Sequence, residues 1–224
     1  LRGGYGWTRL LPRLDFAALA AAGKQWLGYS DFTAFQLAAL ARAGMVTFAG
    51  PVVSDFGAAS PSAFTFDHCF GLFDQRRYAV ACDLQGPDVS CAGTLWGGNL
   101  AMVAHLCGTP YFPAVDGGIL FLEDVGETPY RVERMLYQLH HAGVLARQQA
   151  ILFGQFTEYS LSANDGGYDL EVVIDHLRSV CGTPMLTGLP FGHVPDKLTL
   201  PVGARCELVA RHGHAVLELC GHVD

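Results

Sequence analysis

The chain has 224 residues, half of them apolar and only 16% charged, with a net charge of −7 at pH 7. It therefore holds enough apolar side chains for a sizeable core, in one large or two modest domains. The acidic balance argues against a phosphate backbone or an anionic membrane surface as the main partner, and leaves small molecules or peptides. No apolar stretch reaches the roughly 18 residues needed to cross a bilayer, and no signal-peptide pattern opens the sequence. The seven cysteines form no CxxC pair, and their odd number fits reduced thiols in a cytosol.

Leu1-Arg2-Gly3-Gly4-Tyr5-Gly6 is a glycine-rich loop of the kind that follows a strand. With no strand before it, the expectation is a chain that is the later part of a longer protein. A helix is expected from Phe16 to Ala22, ended by Gly23. Lys24-Gln25-Trp26-Leu27 then reads as a short buried strand, and Thr33 to Ala43 as a helix with Ala34, Leu37, Leu40 and Ala41 on one face. Between them, Leu27-Gly28-Tyr29-Ser30-Asp31-Phe32 places a serine on a strand-to-helix turn. Such a turn holds a hydroxyl clear of the sheet, with the next backbone N–H aimed at whatever it attacks. The hydrolase elbow G-x-S-x-G is matched at Gly28 and Ser30, but Phe32 stands at its last position. Ser30 is thus read either as a nucleophile or as a structural turn serine.

Met45-Val46-Thr47-Phe48-Ala49, closed by Gly50-Pro51, completes a strand-helix-strand order that implies a parallel sheet. Pro61-Ser62 is a helix start, with Phe64, Cys69 and Phe73 as apolar positions. Gln85-Gly86-Pro87-Asp88 reads as a linker. It divides an N-terminal α/β domain (1–84) carrying the nucleophile, incomplete at its start, from a smaller mixed β/α domain (88–224).

In the second part, Gly93 to Gly98 is read as a glycine-rich segment and Asn99 to Leu106 as a helix packing through Leu100, Val103 and Leu106. Gly118 to Asp124 is a buried strand that delivers two carboxylates at its end. Pro129 sits where the first residue of a helix sits, and that helix runs to about Ala142 and is ended by Gly143. Gln149–Phe153 is a strand, Leu170–Cys181 a helix, and Met185-Leu186-Thr187 leads to a loop at Leu189-Pro190-Phe191-Gly192-His193. A two-residue turn at His212-Gly213 pairs positions that sum to 425 and gathers Cys206, Leu208, Leu217 and Leu219 on one apolar face. The same register turns Cys220 away from Cys206, so no zinc site is expected from Cys206, His212, His214, Cys220 and His222.

A serine hydroxyl needs a base within hydrogen-bond reach, and that base works best when a third group orients it. His193 is the candidate base, because Pro190 and Pro195 bracket it in a loop; the alternative is a turn cap. Glu123 is the candidate orienting group, because a carboxylate closing an apolar strand must be partnered or protonated; the alternative is an ordinary ion pair.

Five separated motifs combine these features: Arg2-Gly3-Gly4-Tyr5-Gly6 with Arg9-Leu10-Leu11; Gly28-Tyr29-Ser30-Asp31; Gly97-Gly98-Asn99-Leu100; Ile119 to Asp124 with Tyr130-Arg131 and Arg134-Met135-Leu136; and Leu189 to His193 with Leu200-Pro201-Val202-Gly203. In this order the chain resembles the LD-carboxypeptidases, the murein tetrapeptide carboxypeptidases of the S66 serine peptidase family. One departure is Ala49, where the family pattern has histidine before Gly-Pro. The resemblance implies Ser30 as nucleophile, His193 as base and Glu123 as its orienting acid, with an oxyanion hole from the backbone N–H of Asp31 and of Gly4 or Gly3. It implies release of terminal D-alanine from the cytoplasmic murein tetrapeptide, with no metal or cofactor.

A carboxypeptidase must also recognise a free carboxylate, for which Arg131 or Arg2 is a candidate unless both are structural. Asn99 is a further substrate-binding candidate. The expected partners are a murein peptide and a second copy of the chain in a homodimer, with no nucleic acid and no membrane. Two other functions are carried: a microcin-type immunity hydrolase of the same family, cleaving an aminoacyl-nucleotide amide, and a peptide-binding module without catalysis. The 93 residues between Ser30 and Glu123 (123 − 30) leave little room for an extra substrate loop, which favours the murein enzyme.

Overall fold

The computed structural model describes residues 1 and 3–223. Helices α1 (Trp7–Leu10) and α2 (Phe16–Ala21) precede strand β1 (Leu27–Gly28), and a 3-10 turn over Ser30–Phe32 runs directly into α3 (Thr33–Ala43). There follow β2 (Thr47–Ala49), α4 (Val53–Phe56), α5 (Ala63–Asp74), β3 (Arg77–Asp83), β4 (Val89–Asn99), α6 (Leu100–Leu106), β5 (Ile119–Val125) and α7 (Pro129–His141). The chain continues through β6 (Ala150–Thr157), α8 (Leu170–Val180), β7 (Met185–Thr187), β8 (Leu200–Val202), β9 (Arg205–Arg211) and β10 (His214–Cys220). No helix among the described residues is long and apolar enough to cross a membrane.

The fold is α/β, built on two sheets. A three-stranded sheet has the order β1-β2-β8, and a seven-stranded mixed sheet has the order β3-β10-β9-β4-β5-β6-β7. β1 and β2 run parallel, as the strand-helix-strand order implied, and β8 joins β2 antiparallel. β4 to β7 are parallel, while β3, β10, β9 and β4 alternate in direction. The hairpin β9–β10 has the expected register, with Cys206 opposite Leu219 and Leu208 opposite Leu217. All four of these side chains are buried.

Several elements differ from the sequence reading. β1 begins only at Leu27, because its parallel partner β2 spans Thr47–Ala49; Trp26 contributes its carbonyl to Phe48 N–H at 2.8 Å but lies outside the strand. α3 buries every residue from Thr33 to Ala39 and exposes Ala41, so it has no single apolar face. It lies between Trp7 and Phe16, whose rings meet Phe35, and the larger sheet with α6. In α5 the buried positions are Thr65, Cys69 and Leu72, with Phe64 and Phe73 only partly covered. Gln85, in the segment read as a linker, bridges to Thr187 beside β7.

The largest difference is at Gly93–Gly98, which is part of the eleven-residue strand β4. Glycine is rare in strands because it packs nothing, but here it permits close backbone approach. A Cβ on Gly97 would stand 2.0 Å from the Phe121 carbonyl oxygen of β5, and one on Gly98 would stand 2.4 Å from Thr33 Oγ1. The small residues thus bring α3 down onto the end of the sheet.

Candidate active site

Ser30 has φ 63, one of three non-glycine residues with positive φ among the described residues. A serine reaches this left-handed region only against steric cost, which the surrounding packing must hold. The packing is visible: Phe32 is fully buried, and its ring stacks on Phe35 one turn later at 5.0 Å between centroids. Ser30 also begins the 3-10 turn that continues as α3, so its side chain lies at the positive end of a helical segment. The opening loop lies against it. A Cβ on Gly3 would be 2.7 Å from Ser30 Cβ and 3.3 Å from Ser30 Oγ, so only glycine fits at position 3.

Glu123 and Asp124 close β5 at the carboxyl ends of the parallel strands, the edge at which open α/β sheets bind ligands. Glu123 is 0% exposed, and its Oε2 lies 2.8 Å from Nδ1 of His193, 70 residues away. His193 stands in the loop after β7. Phe191 O accepts Gln155 N–H at 2.8 Å, and Pro190 O accepts Leu198 N–H at 2.8 Å, which fixes the loop on both sides of the imidazole. With Nδ1 engaged by the carboxylate, Nε2 is the ring nitrogen left free of it. The ring of Tyr29 lies 5.0 Å from the imidazole, and the charge of Asp31, on the other side of Ser30, is felt by His193. The hydrogen bond that His193 makes among the described residues is the one to Glu123; the Ser30 hydroxyl makes none.

Asn99, in register with Glu123 across β4 and β5, secures the carboxylates. Its Nδ2 donates to Glu123 Oε1 at 3.3 Å and to Asp124 Oδ1 at 2.8 Å, and its Oδ1 accepts Met102 N–H at the start of α6. Its backbone N–H donates to Thr33 Oγ1 at 3.0 Å. Every polar atom of the amide is thus taken by protein, a geometry that favours positioning over substrate contact. Arg131 pairs with Glu127 at 2.7 Å on the exposed first turn of α7. Arg2 lies outside the described residues.

The charges of the site shift one another. Burial lowers the pKa of His193, but the hydrogen bond and charge of Glu123, with Asp124 behind it, outweigh that and raise it overall. Burial pushes Asp124 up to about 6, against hydrogen bonds from Val125 N–H, Asn99 and Ala101 N–H that favour its charged form. Burial likewise raises Asp31, while His193 pulls it down.

Three neighbours escaped the sequence reading. Beside His193 opens a cleft of about 470 Å³ whose wall includes Tyr29, Asp55, Thr65 and Lys197. The Lys197 side chain is only 3% exposed; its Nζ lies 2.8 Å from Asp55 Oδ1 and 4.6 Å from the centroid of the Tyr29 ring. A lysine closing the loop just before the mostly apolar segment Leu198 to Val202 was the available signal, whereas nothing local marks Asp55.

A strained serine on a strand-to-helix turn and a carboxylate-held histidine in the loop after β7 form a combination suited to hydrolysis. Residues 1–50 match the family model of the LD-carboxypeptidase N-terminal domain, and residues 92–208 that of the LD-carboxypeptidase C-terminal domain. The chain belongs to the LD-carboxypeptidase family. It is 34% identical over 216 residues to the murein tetrapeptide carboxypeptidase of Pseudomonas aeruginosa, covering 91% of this chain and 69% of that protein. The crystal structure of muramoyltetrapeptide carboxypeptidase from Oxalobacter formigenes superposes with a TM-score of 0.95 at 50% identity, covering 99% of this chain and 78% of that one. Microcin C7 self immunity protein MccF shares the fold at 23% identity, with a TM-score of 0.88, over 99% of this chain and 75% of its own.

Proposed function

We propose that the protein is a serine-type LD-carboxypeptidase that releases terminal D-alanine from murein tetrapeptide, with Ser30 as nucleophile, His193 as base and Glu123 as its orienting acid. The observation that carries this reading is the buried Glu123–His193 hydrogen bond of 2.8 Å, with the ring of Tyr29, next in chain to a serine held at φ 63, lying 5.0 Å from the imidazole. Ser30 Oγ attacks the carbonyl between the diamino acid and D-alanine, and its proton passes to His193 Nε2. The negative charge on the carbonyl oxygen is met by the Asp31 N–H, at the start of the helical segment, and by an N–H of the opening loop at Gly3 or Gly4. His193 then gives its proton to the leaving amine, D-alanine departs, and an ester to Ser30 remains. Water attacks that ester through the same base, and the tripeptide acid leaves with Ser30 restored. The Ser30–His193 hydrogen bond closes as substrate enters, since such bonds are often long in the empty site.

The nucleophile thus belongs to the part of the chain before residue 85, and the acid and base to the part after it. The 50% identical carboxypeptidase supports the murein substrate over an aminoacyl-nucleotide, for which the 23% identical immunity protein supports the fold alone. A module that only bound peptide would have no use for an acid-held histidine. The test is trapping: a serine-reactive fluorophosphonate should label Ser30, located by peptide mass mapping, and His193→Gln should slow labelling at least tenfold. Labelling elsewhere, or none, overturns the proposal.

A further inference from the structure

We propose that Lys197, clamped by Asp55, is a positioning residue for the histidine base: acting through Tyr29, its fixed positive charge opposes protonation of His193 and keeps the imidazole able to accept a proton. The inference rests on the reading of His193 as the base and adds a residue that the family resemblance did not single out.

The geometry is a continuous stack. Asp55 Oδ2 accepts Val52 N–H at 2.7 Å, which pins α4, and its Oδ1 holds Lys197 Nζ at 2.8 Å. The ammonium lies 4.6 Å from the centre of the Tyr29 ring, within cation–π range, and that ring lies 5.0 Å from the imidazole. Thr65 fixes the loop from the other side, accepting Lys197 N–H and donating to Pro195 O, both at 2.9 Å. A lysine only 3% exposed has lost most of its hydration and needs such partners to stay charged.

The charged and titratable groups facing His193 divide by sign. Glu123 and Asp124 from β5 favour the imidazolium, and Asp31 from the nucleophile turn adds to them. Glu158, beyond β6, lines the same cleft, and Tyr29 lies on the ring. Among the described residues, Lys197 is the cation that counters these carboxylates, and its charge lowers the pKa of both His193 and Tyr29. Without it, three acids would hold the base protonated at pH values where it must accept a proton.

The test is the pH profile of kcat/KM for D-alanine release from murein tetrapeptide. Lys197→Met should move the acidic limb to higher pH by about half a unit or more, leave the high-pH plateau within a few-fold, and be rescued by Lys197→Arg. Because Lys197→Met leaves Asp55 buried and unpaired, the double variant Asp55→Asn, Lys197→Met is measured alongside and should shift in the same direction. An unmoved limb in both variants, or a Lys197→Arg profile like that of Lys197→Met, overturns the inference while leaving the base intact. Full turnover by His193→Gln would instead overturn the base reading, and the inference with it.

Discussion

At the scale of single residues, the site is a set of mutual constraints. Ser30 tolerates positive φ because Phe32 is locked in the core below it, and Gly3 leaves no side chain to displace its hydroxyl. Glu123 remains buried because it is bound on both oxygens, by His193 and by Asn99. These partners make stability depend on pH. The folded pKa of His193 is raised above its unfolded value, so its contribution is fully present below about 6.5 and is lost as pH rises through the folded value. Wild type should therefore exceed His193→Gln in unfolding free energy by more at pH 5 than at pH 8, as measured by urea denaturation. An equal difference at the two pH values would contradict the pairing. Asp124 acts with the same sign: its pKa of about 6 means that the folded state holds its proton longer than the unfolded chain, so its effect is to weaken the fold as pH rises from about 4 to 6.

At the scale of elements, β4 carries the most instructive difference between sequence and structure. Six residues containing three glycines suggest a loop, because glycine has no side chain to signal a strand face. Their value lies in backbone contacts with β5 and α3, visible only once those elements are assembled. Gly97 has φ +131 and would push a Cβ to 2.0 Å from a backbone oxygen of β5, which has no room to yield. Gly97→Ala should cost at least about 2 kcal/mol in chemical denaturation, through strain and displacement of the sheet; a cost below about 0.5 kcal/mol would show that the strand relaxes freely. The hairpin β9–β10 was legible to the residue, because alternation with a two-residue turn admits one register that buries a clean apolar face. The pairing of Glu123 with His193 was legible because each breaks a local pattern, an acid at the end of an apolar run and a histidine in a proline-bracketed loop. Asp55 and Thr65 were not, since they meet Lys197 from 142 and 132 residues away and nothing nearby in sequence records the meeting.

At the scale of the whole molecule, the proposed nucleophile and the acid proposed to orient its base rise from different sheets. Ser30 follows β1 of the three-stranded sheet, and Glu123 lies near the end of β5 of the seven-stranded one. The loop between β7 and β8 joins them: it leaves the larger sheet, carries His193 and Lys197 past the nucleophile turn, and enters the smaller sheet where Pro201 meets Phe48. The α4–α5 region grips this loop through Asp55 and Thr65. The proposed catalysis therefore depends on how the two sheets are held together as well as on any one residue. The most direct measurement is D-alanine release from purified murein tetrapeptide by the wild-type protein and by Ser30→Ala, with thermal unfolding of both. The prediction is turnover by wild type, a loss of about a thousandfold or more in the variant, and an unchanged unfolding temperature. Turnover by Ser30→Ala within about tenfold of wild type would contradict the assignment of the nucleophile.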